Sequence, residues 1–128
     1  MTATDIEPTT TLTVSPMLRS VLWASGSQMM AEPKALVEAA VGASNEDVTA
    51  LRLAARHATK TSTGEHVIVV RTRLLDALIR LPAACVELID VRERKVRTRH
   101  SPEDFVVAEA ELREAVGRAR AEAPADLT

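Results

Sequence analysis

Between Gly64 and Leu81 the spacing of apolar positions changes from one regular pattern to another. His66-Val67-Ile68-Val69-Val70 is a short run dominated by β-branched residues behind a Gly-containing turn, the pattern of a buried strand over residues 67–70. From Thr72 onward Leu74, Leu75, Leu78 and Ile79 recur at helical spacing, with Arg73, Asp76, Ala77 and Arg80 on the other face. This predicts a helix over residues 73–81, capped by Thr72 and ended by Pro82, because the residue before a proline is pushed out of the helical region. A single helix over residues 66–81 is the competing reading, disfavoured by four successive β-branched residues.

The flanks follow the same logic. Residues 1–11 are polar and Thr-rich and read as a disordered arm, and Leu12-Thr13-Val14 as a short strand. Ser15-Pro16 opens a helix over residues 16–25, with Met17, Leu18, Val21 and Leu22 on its apolar face and Gly26 as its end. Residues 33–58 allow two readings. Pro33 and an Ala-rich run up to Gly42, followed by Ser44-Asn45-Glu46-Asp47, suit two helices; residues 36–41 and 48–54 could instead pair as a hairpin. Beyond Pro82, residues 86–91 and 95–99 read as two strands joined by a turn at Arg92-Glu93-Arg94, with a basic helix as the alternative because the alternation is imperfect. Ser101-Pro102-Glu103-Asp104 is a clear helix start. It opens a helix over residues 102–120 with an apolar stripe of Phe105, Ala108, Leu112, Ala115, Val116 and Ala119. Residues 122–128 read as a disordered tail. The expectation is an α+β protein: one globular domain over residues 12–121, with a small antiparallel sheet covered by about three helices, or a mainly α chain if residues 33–58 are helical.

Composition narrows the chemistry. Residues 65–100 carry eight Lys/Arg against five Asp/Glu, and residues 101–128 three against seven, so a basic middle is followed by an acidic helix. Cys85 is the only cysteine, which rules out an intramolecular disulfide and suits a reducing, cytoplasmic setting; no apolar run is long enough to span a bilayer. Trp23 and Phe105 are the only aromatics, which argues against stacking platforms for single-stranded nucleic acid. His57, His66, His100 and Cys85 lack metal-site spacing, and Thr59-Lys60-Thr61-Ser62-Thr63-Gly64 lacks the spacing of a phosphate loop. Glu103, Asp104, Glu109 and Glu111 read as helix-start and helix-surface carboxylates. Hence no catalytic residue, metal or cofactor is expected, and the chain reads as a non-enzymatic binding protein.

Two resemblances bear on what it binds. The order Thr11–Val14, Met17–Trp23, Thr63–Pro82, 86–91 with 95–99, then Pro102-Glu103-Asp104-Phe105, resembles one domain of the bacterial DNA polymerase sliding clamp. That resemblance implies a DNA-associated module whose helices turn basic faces to duplex phosphates, carried here by Arg19, Arg73 and Arg80; an ordinary solvated face is the bland reading of the same arginines. Residues 36–51 also resemble a helix-turn-helix, with Val37, Val41, Gly42, Val48 and Leu51 at core and turn positions. Glu38 departs from it where a small buried residue is wanted. Glu46 and Asp47 stand where they would repel phosphates, and Arg52, Arg56 and Lys60 lie at the far end of the second helix. A third possibility is an adaptor or assembly protein, meeting a partner or a second copy through the helix at 102–120; packing on its own sheet is the plainer role for that helix.

Overall fold

The computed structural model describes residues 7–91 and 100–122. The fold is α+β: a three-stranded antiparallel sheet and five α-helices among the described residues. The order is β1 (Thr9–Val14), α1 (Pro16–Met30), α2 (Lys34–Val41), α3 (Asn45–Arg56), β2 (Thr59–Lys60), β3 (His66–Arg71), a 3-10 turn (Thr72–Leu74), α4 (Leu75–Val91) and α5 (Pro102–Glu122).

The sheet order is β1-β3-β2, with Leu12 opposite Ile68 and Thr10 opposite Val70. Residues directly opposite in an antiparallel pair share a face, so Leu12, Val14, Ile68 and Val70 form the buried side while Thr11, Thr13 and Val69 face solvent. α5 packs on β1 and α3 on β3, α1 packs with α3, α4 and α5, and α2 lies on α4. The stripe anticipated on α5 (Phe105, Ala108, Leu112, Ala115 and Val116) is buried, with Ala119 partly so.

Helix starts follow their local signals. Ser15 Oγ accepts from the Leu18 amide at 3.1 Å, and Ser44 Oγ accepts from the Asp47 amide at 3.1 Å. Both Glu111 carboxylate oxygens also hold Ser15, one at its amide (2.8 Å) and one at its hydroxyl (2.6 Å), so α5 completes the cap of α1.

Several expectations are corrected. β1 begins at Thr9, inside the stretch read as a disordered arm, because Thr9–Thr11 continue the pairing with β3. Thr59 and Lys60, outside every strand expected from the sequence, form β2, which pairs with Val67 and His66. Gly26 does not end α1, which continues to Met30. A Cβ there would stand 2.6 Å from the Arg52 Cβ, so the glycine is a point of close approach between α1 and α3. Residues 33–58 form α2 and α3, and the 36–41/48–54 hairpin does not form.

The largest corrections concern α4. It does not stop at Pro82, and residues 86–91 are its last turns rather than a strand. Leu78, Leu81, Cys85 and Leu88 make one buried row through the proline at spacings of three and four, and that burial outweighs the lost backbone hydrogen bond and the strand propensity of the C-terminal half. Thr72 does not cap the helix: its hydroxyl bonds that of Thr10 at 2.8 Å, and its segment is a 3-10 turn. The predicted strand at 95–99 and turn at 92–94 lie outside the described residues. So do residues 123–128 of the predicted tail, while Glu122 belongs to α5.

Candidate nucleic-acid interface

α2 and α3 are joined by Gly42, Ala43 and Ser44. Gly42 has φ 78°, the left-handed conformation that lets the chain leave α2 and turn. Its amide donates to the Glu38 carbonyl at 2.9 Å. Val37 and Val41 of α2 and Val48 and Leu51 of α3 are all buried. This is the pattern of positions by which a helix-turn-helix fixes its second helix against the first and against the body of the domain. Glu38, the departure noted above, points to solvent rather than into the pair.

The three arginines assigned to DNA all lie against this unit. Arg19 reaches from α1 to the C-terminal end of α3, donating from Nε to the Ala55 carbonyl (2.9 Å) and from Nη2 to the Arg56 carbonyl (3.1 Å). It serves as a side-chain cap, with its charge at the negative end of the helix. Arg73 lies by the N-terminal end of α3. Its Nη1 and Nη2 grip both Asp47 oxygens, at 3.1 and 3.0 Å, and its Nε meets Glu7 at 2.9 Å. Arg80, exposed on α4, sits at the turn: a Cβ on Gly42 would be 2.7 Å from its Nη1. Arg19 and Arg73 thus carry internal contacts, whereas Arg80 stands over the turn with its side chain open to solvent.

The charge at the start of α3 is not what its residues alone suggest. The fork of Arg73 holds the Asp47 carboxyl below the ordinary carboxylate range, the hydrogen bond from Ser44 to Asp47 adding to the effect against a partial desolvation. One of the two acidic groups that would repel phosphate is therefore neutralised within the chain. The basic stripe also divides. Arg52 stacks on Trp23, 4.4 Å from guanidinium to ring centre, and donates to Ser27 Oγ at 3.2 Å, while Arg56 lies 5.6 Å from the same ring. Lys60 remains exposed on β2. Beyond it, the turn from Thr61 to Glu65 closes the β2–β3 hairpin through Thr61 N–H to Glu65 O at 2.8 Å.

Comparison with protein-family models, with curated proteins and with solved structures finds no match.

A constellation that sequence reasoning missed lies on the opposite flank. Ser20 Oγ and His100 Nε2 share a hydrogen bond of 2.8 Å, and His100 Nδ1 lies 3.3 Å from Asp104 Oδ2. The order is that of a serine hydrolase triad. The surroundings of the serine are not, because acyl transfer needs donors aimed at the developing oxyanion, and Ser20 is mid-helix, where neighbouring amides are donated along α1. The three residues tie α1 to the start of α5. Their separation of eighty positions in the chain left no local signal. Cys85 is buried beside Ser25 and Glu32, and burial pushes its thiol up to about 12, so it is not a nucleophile at neutral pH. Among the described residues no group of three or more His, Cys, Asp or Glu side chains could hold a metal ion, and no helix is long and apolar enough to cross a membrane.

Proposed function

We propose that this chain is a non-enzymatic binding protein that engages duplex DNA through the α2–turn–α3 unit. The observation that carries the reading is the left-handed Gly42 between an eight-residue helix and a Ser44-capped helix, with Val37 and Val41 of the first and Val48 and Leu51 of the second all buried. Two objections that the sequence raises are weakened: Glu38 is exposed, and Asp47 is neutralised by Arg73. Arg80 at the turn and Lys60 on the following hairpin supply positive charge for phosphates on either side of α3. The clamp-like form of the reading draws on Arg19, Arg73 and Arg80 as a shared basic face and on a strand at 86–91. Two of these arginines are engaged within the chain and residues 86–91 are helix, which favours α2–α3 as the DNA-facing surface.

The test is fluorescence anisotropy of a labelled duplex titrated over a series of salt concentrations. Binding should weaken steeply with salt, and Arg80→Ala and Lys60→Ala should each lower the slope of log K against log salt by about one. A slope untouched by both substitutions, or no binding at low salt, overturns the reading.

A further inference from the structure

The two most exposed large apolar side chains among the described residues are neighbours on α5: Val106 is 70% exposed and Val107 54%. Val106 also lines a groove of about 400 Å³ between the second half of α4 and the start of α5, together with Ala83, Val86, Glu87, Phe105 and Glu109. Water-exposed valines beside an apolar groove form one continuous apolar patch. A second copy related by a two-fold axis presents the same valines back to this surface, so that each copy covers the other's.

Charge along α5 points to the same occupant and sets its direction. Residues 102–111 carry four acidic groups and no basic one, whereas residues 112–122 carry three arginines against two glutamates. Parallel pairing of two α5 helices would set the acidic halves side by side; antiparallel pairing sets acid against base twice. With the axis level with Ala108, Glu103 of one copy faces Arg113 of the other, and Val106 faces the small, exposed Ala110. Among the described residues Arg113 pairs with Glu109 at 3.7 Å, a contact of a solvent-exposed arginine that is readily exchanged for a partner across an interface.

We propose that the outer face of α5, beside the α4–α5 groove, forms the contact surface of a homodimer, with the two α5 helices antiparallel. The surface is separate from the α2–α3 unit, so the proposal stands or falls independently of the DNA reading.

Sedimentation equilibrium on the full chain tests it. The wild type should show a monomer–dimer equilibrium, and the double substitution Val106→Glu/Val107→Glu should weaken dimerisation by about tenfold or more with an unchanged circular dichroism spectrum. Glu103→Arg alone and Arg113→Glu alone should each weaken the dimer, and the two together should restore it. These two exposed positions keep the test decisive if the valine variant fails to fold. A wild type that stays monomeric throughout, a dimer indifferent to all these substitutions, or a charge reversal that the double swap fails to restore overturns the proposal.

Discussion

α3 and α4 are both helices packed on the same core, yet their boundaries answer to different forces. α3 starts at the residue after its Ser44 cap and ends at Arg56, with His57 closing it through a bond to the Leu53 carbonyl at 2.9 Å. It fully buries only a narrow stripe of Val48, Leu51 and Ala55, and Glu46, Leu53 and Arg56 are exposed. α4 is apolar on most sides: Leu75, Ala77, Leu78, Ile79, Leu81, Ala84, Cys85 and Leu88 are all buried, and the helix runs through Pro82. Where few apolar groups are at stake, caps and stop signals decide where a helix begins and ends. Where each further turn removes another large side chain from water, burial overrides a breaker.

The contrast can be broken or sharpened by substitution, the largest effect first. Leu78→Ala should cost about 2–5 kcal/mol, since the side chain is fully buried and its loss leaves a cavity. Leu53→Ala on the wet side of α3 should cost under about 0.5 kcal/mol. Chemical denaturation measures both, and similar values would erase the distinction between the helices. Pro82→Ala should change stability in the opposite direction. Restoring a backbone donor inside α4 should raise it by about 1 kcal/mol or more, part of the intrinsic helix gain being lost where the buried ring is removed. A destabilised variant would mean that the ring's packing matters more than the broken hydrogen bond.

Ser44→Ala should cost about 1 kcal/mol through the lost cap of α3, read as a lower midpoint in thermal unfolding. The smallest effect is the pH dependence of Asp47. Arg73 holds its carboxyl below the ordinary value of 3.8, so the stabilisation is fully present above that pH and is lost as pH falls through the native value. Asp47→Asn should be less stable than the wild type near neutrality, and the gap should close below about pH 4. A gap that stays constant across an acid titration would show that the carboxylate charge contributes nothing.

The candidate interface was partly legible in the chain. The Val37, Val41, Gly42, Val48 and Leu51 pattern and the Ser44 cap are local signals, and they identify the α2–α3 unit because turn chemistry and helical spacing act over a few residues. What surrounds the unit was not legible. Arg73 lies twenty-six positions from Asp47, and Arg19 thirty-six from the carbonyl it caps, so nothing near either residue signals the contact. The same arginines that look like one basic face by composition are, in space, an end cap, a clamp on an aspartate and a solvent-open group at a turn.

By itself the sequence determined elements whose causes are short-ranged: the cap at Ser15, the β-branched strand over residues 67–70 and the buried stripe of α5, while its signals at Gly42 and Ser44 still allowed either helices or a hairpin. Only the tertiary structure decided the rest. It carried α1 through Gly26 because α3 approaches there, extended β1 back to Thr9 because β3 offers partners, and made helix of residues 86–91 because Cys85 and Leu88 continue a buried row. In each case a distant neighbour gains or loses contact with water or backbone, a free energy comparable to local propensity, which a window of adjacent residues does not contain.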